Sequence, residues 1–134
     1  MTTKSQFSAS DSALGYLYQV RVALLWSLRR LKSGSDFVVS LETLDDVTFE
    51  TSVGNPEELL QTKHHRIREA AITDASPDLW KSLRIWFEGY AGNIIPPGTT
   101  LYLITTGKAP EGSIASYLRS NGRDVDFALK RLET

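Results

Sequence analysis

Three strand-like segments follow one another in the middle of the chain, and they constrain the fold more than any other feature. Residues 37–42 are rich in β-branched and aromatic side chains, while residues 47–51 and 58–64 alternate in the way that half-exposed strands do. Turn-forming residues separate the three segments at 44–46 and at 54–56. The pattern predicts a meander of three strands.

A long helix is predicted on the amino-terminal side of this meander. A capping residue among positions 10–12 starts a helix that continues to about Lys32, and the Ser-Gly-Ser sequence at 33–35 ends it. Residues 1–10 are expected to be a loose polar lead-in. Apolar side chains recur at helical spacing along one stripe, which Arg21 interrupts. The stripe comprises Leu14, Leu17, Tyr18, Leu24, Leu25, Leu28 and Leu31.

A second helix is predicted after the meander. Ser76 is a good N-cap, Pro77 suits the first turn, and Gly92 with Asn93 ends the helix. Its large apolar side chains lie at amphipathic spacing, at Leu79, Trp80, Leu83, Trp86, Phe87 and Tyr90. We expect Trp80, Trp86 and Phe87 in the core and not on a base-stacking platform.

The continuous apolar run within residues 99–106 is typical of a strand that is buried on both faces. Shorter helices are expected at 112–119 and 124–132. The order helix, three strands, helix, strand predicts an α/β fold in which a mixed central sheet is flanked by helices. We expect residues 1–134 to form a single domain, with the natural protein continuing beyond it.

Composition narrows the class of protein. The chain has 134 residues, 41% of them hydrophobic and 23% charged, which suits one globular domain. It has no cysteine, so disulfides and thiolate metal sites are excluded, and its two histidines make a zinc site a poor choice. The formal net charge of −1 means that any basic surface must be local. Without an apolar leader or spanning segment, a cytoplasmic location away from the membrane is expected.

Polar residues of the meander form the candidate catalytic group. Glu42 closes the first strand, Asp46 opens the second, and Gln61 and Lys63 are two apart on the third, so they face the same side. In a meander these positions converge. Asp46, Glu42 and Gln61 offer the hard oxygen ligands that Mg²⁺ prefers, and Lys63 can hold a water or stabilise charge on a phosphate. The set supplies the parts needed for phosphodiester hydrolysis.

Simpler interpretations of the same residues remain open. Asp45 and Asp46 are also common turn residues, and an extended chain can turn only one of them, preferably Asp46, towards the site. Glu42 can equally be a solvent-facing strand end. The basic run that follows Lys63 can be a solvated loop or a phosphate-binding segment. Its candidate DNA-binding residues are His64, His65, Arg66 and Arg68.

The ordered set resembles the PD-(D/E)xK nuclease superfamily, which has a restriction-endonuclease-like αβββαβ core. Residues 15–19 in the first helix, Glu42 with 45–47, and 60–64 are most similar to the Cap4-type double-stranded DNA endonuclease domain (DUF4297-like) of bacterial anti-phage defence systems. The resemblance covers roughly residues 10–106. It departs from the family at position 61, where glutamine replaces the second acid of the motif.

The resemblance implies metal-dependent cleavage of duplex DNA by an effector domain, with a sensor or NTPase domain in the same or a partner chain. Asp46 would bind Mg²⁺ (or Mn²⁺ in its place), Gln61 would stand for the second acid, and Lys63 would be the catalytic lysine. Glu42 and Gln19 would support them. Cutting both strands needs two sites, so a homo-oligomer is expected in the active state. The alternatives are a catalytically inactive DNA- or protein-binding module of this fold and an unrelated α/β interaction domain.

Overall fold

The computed structural model describes residues 3–42, 46–64 and 71–133. In this part of the chain, three α-helices surround one four-stranded sheet. The helices are α1 (Thr3–Lys32), α2 (Pro77–Ala91) and α3 (Val125–Glu133), and a short 3₁₀ helix covers Ala115–Tyr117. The strands are β1 (Val38–Glu42), β2 (Asp46–Glu50), β3 (Pro56–Lys63) and β4 (Thr100–Thr105).

The sheet is mixed, with the strands in the spatial order β1-β2-β3-β4. The first three strands are antiparallel neighbours and β4 runs parallel to β3. The short turns of a meander allow only antiparallel pairing, whereas the longer connection through α2 allows β4 to return in the same direction as β3. The predicted α/β class, three-strand meander and mixed sheet are therefore confirmed, and the structure places β4 beside β3.

Most element boundaries agree with the sequence pattern to within two residues, but the amino-terminal end does not. Helix α1 begins at Thr3, so residues 3–10, expected to be a loose lead-in, are helical. The region predicted as a helix at 112–119 contains only the 3₁₀ helix, because Gly112 has a φ of 81° and the backbone turns through hydrogen bonds of the i to i+3 type. No helix in the described residues is both long enough and apolar enough to cross a membrane.

One face of the sheet is closed by α1. Val22 and Ala23 of the helix pack on Val47, Phe49 and Leu60 of the strands to form a buried apolar cluster. At the carboxyl end of α1, the Arg30 guanidinium lies over the Phe37 and Phe49 rings and pairs with two acids of β3. These two acids are Glu57 and Glu58.

The leucines of the stripe that marks α1 in the sequence do not contribute to this core, whereas Tyr18 of the stripe packs against it. Leu17 is 57% exposed and Leu24 59% exposed, while the residues that face the sheet are Gln19, Val22 and Ala23. Apolar residues at helical spacing therefore identify this helix, but they do not tell which of its sides packs on the sheet.

The other face of the sheet is covered by α2 and the carboxyl-terminal elements. Leu79 and Leu83 of α2 pack with Ile72, Ile114 and Ala128 in a second apolar cluster. The prediction that Trp80, Trp86 and Phe87 lie in the core is wrong for two of them. Trp80 is 43% and Phe87 62% exposed, because α2 buries only the narrower face that carries Leu79, Ser82 and Leu83.

Candidate functional site: a half-covered cleft on the sheet

Asp46 and Gln61 meet at the centre of the meander. They are direct partners in the register between β2 and β3, and the side-chain amide of Gln61 donates a hydrogen bond to Oδ1 of Asp46. Residues that are paired across two antiparallel strands point their side chains to the same face. The carboxylate and the amide named from the sequence therefore lie against each other.

Gln19 holds Asp46 from the opposite side of the sheet. Its side-chain Nε2 donates to the main-chain carbonyl of Asp46 at 2.7 Å, and the residue is fully buried. The bond joins α1 to the first residue of β2, immediately before the strand's buried positions. It fixes the backbone from which the Asp46 carboxylate projects, which is a positioning contact and not a contact with the carboxylate itself.

Lys63 shares the face of Asp46 and Gln61, two residues further along β3. A diagonal pair of this kind has its Cα atoms about 7–8 Å apart, within reach of a long side chain. Lys63 is only 8% exposed, so its side chain is buried and its removal would cost packing as well as charge. Its backbone is also fixed, since its carbonyl accepts from Thr106 N at 3.2 Å, where β4 runs alongside β3.

A cleft of about 530 Å³ opens beside the Asp46–Gln61 pair. Its floor is the part of β2 and β3 that α2 leaves uncovered, and its wall is the carboxyl-terminal half of α2 with the loop that follows. Two acids that the sequence analysis did not single out, Glu50 and Glu88, also line it. The alternation of Asp46, Thr48 and Glu50 along β2 was the available signal, because alternate residues of a strand share a face.

Of the remaining predicted site residues, the structure places Glu42 and His64. The backbone of Glu42 pairs with Asp46 across β1 and β2, which places it beside the site. His64 is exposed, and its ring lies 5.5 Å from that of Tyr18. Asp45, His65, Arg66 and Arg68 lie outside the described residues.

The Asp46 carboxylate and the Gln61 amide are suitable ligands for a metal ion, and the described residues supply part of a coordination shell. They contain no cluster of three or more histidine, aspartate or glutamate side chains able to hold a metal. They do contain one carboxylate in contact with one side-chain amide. Carboxylate and amide oxygens with several waters are an ordinary Mg²⁺ shell, so Asp46 and Gln61 fit as two protein ligands of such a shell.

The Gln61 amide has a donor end and an acceptor end, either of which can face Asp46. Its nitrogen faces Asp46, because two oxygen atoms at that distance would repel each other. A cation between the side chains would favour the opposite orientation, with the amide oxygen towards the ion. A rotation of 180° about the last side-chain bond exchanges the two states without moving the backbone.

Comparison with models of protein families, with curated proteins and with solved structures finds no match for this chain.

Proposed function

We propose that the chain is a metal-dependent endonuclease that hydrolyses phosphodiester bonds of double-stranded DNA, with the αβββαβ core of the restriction-endonuclease type. The observation that carries the proposal is the contact of Asp46 with Gln61, with Lys63 on the same face. These are the acid, the acid-replacing residue and the lysine of the motif, and the register of β2 and β3 brings the first two together.

Asp46 and Gln61 would hold Mg²⁺, with Mn²⁺ as a substitute and Glu42 as a further candidate ligand. When bound, the metal would acidify a water and polarise the scissile phosphate. Lys63 would stabilise negative charge that develops on the phosphate, and its burial would make that interaction stronger than in water. Gln19 would keep the Asp46 backbone in place.

The acidic lining of the cleft fits a metal-dependent reaction better than a metal-free one. Asp46, Glu50 and Glu88 would repel DNA phosphates, and a bound cation reverses the local potential. The basic segment that follows Lys63 in the sequence would supply phosphate contacts through His64, His65, Arg66 and Arg68. Cellular context follows from the sequence resemblance alone: an effector domain of an anti-phage defence system in the cytoplasm, controlled by a sensor or NTPase domain.

Cleavage of supercoiled and linear duplex DNA in Mg²⁺ or Mn²⁺, with an EDTA control, tests the proposal. Lys63→Met is the informative variant because it keeps the buried stem and removes the charge; Lys81→Met, at an exposed position of α2, is its matched control. Losing one charge-stabilising group should slow cutting by about 10²–10³-fold. Asp46→Asn removes the charged metal ligand and should abolish cutting, whereas Lys81→Met should leave the cutting rate unchanged.

A binding module without catalysis is the second candidate, favoured by the amide at position 61 and by the absence of a three-residue acidic or histidine cluster among the described residues. DNA binding without metal-dependent cutting, including in a version fused to a dimeric coiled coil, would establish it. Full cutting by Lys63→Met would overturn the assignment of the site. If the protein neither binds nor cuts DNA, both candidate functions are overturned.

A further inference from the structure

A second cavity lies on the α2 face of the sheet, at the β4 side and away from the Asp46–Gln61 pair. Its volume is about 410 Å³, which is within the range of small-molecule sites. One wall is formed by Leu79 and Leu83 of α2, and another by Leu101 and Leu103 of β4. We name this cavity the β4 pocket.

The third wall of the β4 pocket carries two positive charges. It belongs to the segment 115–125, which contributes Arg119 and Arg123 to the lining. No acidic side chain is among the described residues that line the pocket. The carboxylate of Asp124, the acid next to Arg123 in the chain, instead accepts from Phe127 N at 3.1 Å at the start of α3. The pocket is therefore apolar inside and cationic along one side.

Main-chain carbonyls hold both guanidinium groups, and neither group has an acidic partner among the described residues. Nε of Arg119 donates to the carbonyl of Ser116 at 3.2 Å. Nε and Nη2 of Arg123 donate to the carbonyls of Arg119 and Leu118 at 3.3 and 3.0 Å. Neutral carbonyls position a guanidinium without cancelling its charge. The remaining terminal N–H groups can therefore form charge-assisted hydrogen bonds with an anion.

We propose that the β4 pocket binds a small amphipathic anion, with its apolar body between α2 and β4 and its anionic head on Arg119 and Arg123. Burial of the body against the leucines supplies affinity, and the two arginines fix which end of the ligand enters. A neutral ligand of the same shape lacks the bonds to the arginines, and a cationic one is repelled by them. A cavity enclosed by α2, β4 and the segment 115–125 accommodates a compact ligand, whereas a partner helix or strand needs an extended surface.

The β4 pocket and the proposed nuclease cleft have opposite charge. The cleft is lined by the carboxylates of Asp46, Glu50 and Glu88, so an anion favours the β4 pocket over the metal-free cleft. Trp86 is the one described residue that lines both spaces. Its fluorescence should therefore change when a ligand enters the β4 pocket, with neither DNA nor metal present.

Titration of the purified chain with octanoate tests the proposal. The matched ligands are 1-octanol, which lacks the charge, and acetate, which lacks the apolar body. We expect octanoate to saturate a site, and both matched ligands to bind at least about tenfold more weakly. Tryptophan fluorescence gives the affinity. Two-dimensional NMR should show the largest shifts at Leu103 and Val125 of the pocket and not at the exposed leucines of α1.

Paired substitutions test the role of the two arginines. Arg119→Gln combined with Arg123→Gln removes both charges at exposed positions, so the chain should stay folded by circular dichroism and bind octanoate at least about tenfold more weakly. Arg84→Gln is the matched control, because Arg84 is 76% exposed on α2 outside the pocket, and it should leave the affinity unchanged. Ala109→Phe adds a ring to the pocket lining and should block octanoate without changing the charge.

Three results would overturn the proposal. Octanoate binding that the double arginine variant leaves unchanged, or that 1-octanol matches, would show a contact that does not recognise the anion. Shifts confined to the leucines of α1 would show that octanoate binds elsewhere. No binding into the millimolar range is the result expected if a further segment of protein covers the pocket, and it too would overturn the proposal. None of these outcomes depends on DNA cleavage.

Discussion

The two faces of the sheet are built from alternate residues of the same strands, yet they differ in how completely they are covered. On the α1 face, Phe49 and Leu60 are 0% and 1% exposed beneath a helix that extends across β1, β2 and β3. On the α2 face, the helix covers the β4 side and leaves Asp46 and Gln61 at the edge of a cleft. The same sheet therefore has an apolar core on one face and, on the other, a polar pair that lines a cleft.

Polar groups are present on both faces, but they have different kinds of partner. On the α1 face, Gln19 is bonded to a main-chain carbonyl and Arg30 to two acids, so these groups tie elements together. On the α2 face, the side chains of Asp46 and Gln61 bond to each other beside open space. This second pair lines a cleft on the partly uncovered face of the sheet.

The largest difference between the faces should appear in stability. Phe49→Ala removes a fully buried ring that contacts Phe37 and Arg30, and should cost about 3–5 kcal/mol. Glu50→Ala, one residue along on the cleft face, should change the free energy of unfolding by no more than about 0.5 kcal/mol. Urea denaturation measures both; equal costs would mean that the cleft face carries as much of the core as the α1 face.

Gln19 should show a smaller effect of the same kind. Gln19→Met keeps most of the volume and removes the donor to the Asp46 carbonyl, which should cost about 1–3 kcal/mol. Thr48→Val, a polar-to-apolar change on the partly open face, is the matched control and should be nearly neutral. If Gln19 positions Asp46, the folded Gln19→Met protein should also bind Mg²⁺ more weakly. Unchanged Mg²⁺ binding would mean that Gln19 contributes only to stability.

Two helical glycines distinguish the faces by the space around them. At Gly15 in α1 nothing lies within 4 Å of an added Cβ, so Gly15→Ala should stabilise the protein by about 0.5–1 kcal/mol. At Gly89 in α2 an added Cβ would lie 2.6 Å from Cδ1 of Ile95, which forms part of the cleft wall. Gly89→Ala should therefore cost about 1 kcal/mol after the gain in helix propensity. Thermal unfolding measures both variants. A melting temperature that rises for both would show that Ile95 can move to make room for the added Cβ at position 89.

An effect of similar size should come from the hydrogen bonds of Asp74, which tie the segment before α2 to the carboxyl-terminal elements. Hydrogen bonds from the Arg131 side chain and from Ile114 N hold the pKa of Asp74 below its usual value of 3.8. This contribution to stability is fully present above that value and is lost as the pH falls through the lowered pKa. Asp74→Ala should cost about 1 kcal/mol at neutral pH. The cost should disappear in strong acid; a cost that persists there would point to packing and not to charge.

Sequence pattern predicted the sheet well and the side-chain environments less well. Strand order followed from turn chemistry, which is local, and the convergence of Asp46 with Gln61 followed from strand order. The burial of Lys63 and the exposure of Leu17 and Trp80 could not be read in this way. They depend on which side of each helix lies against the sheet. The spacing of apolar residues identifies a helix, but in α1 the side that it marks is not the side that packs on the sheet.

The glutamine at position 61 provides the most direct test of the central claim, that Asp46 and Gln61 form one metal site. Gln61→Glu places a second carboxylate against Asp46, which should destabilise the metal-free protein and strengthen metal binding. Gln61→Leu removes the side-chain oxygen that could bind the metal. The measurement is the Mg²⁺ concentration needed for half-maximal nicking of plasmid DNA by the three proteins. We predict that it falls for Gln61→Glu and that Gln61→Leu does not cut. The same Mg²⁺ dependence in all three would contradict a metal site at Asp46 and Gln61.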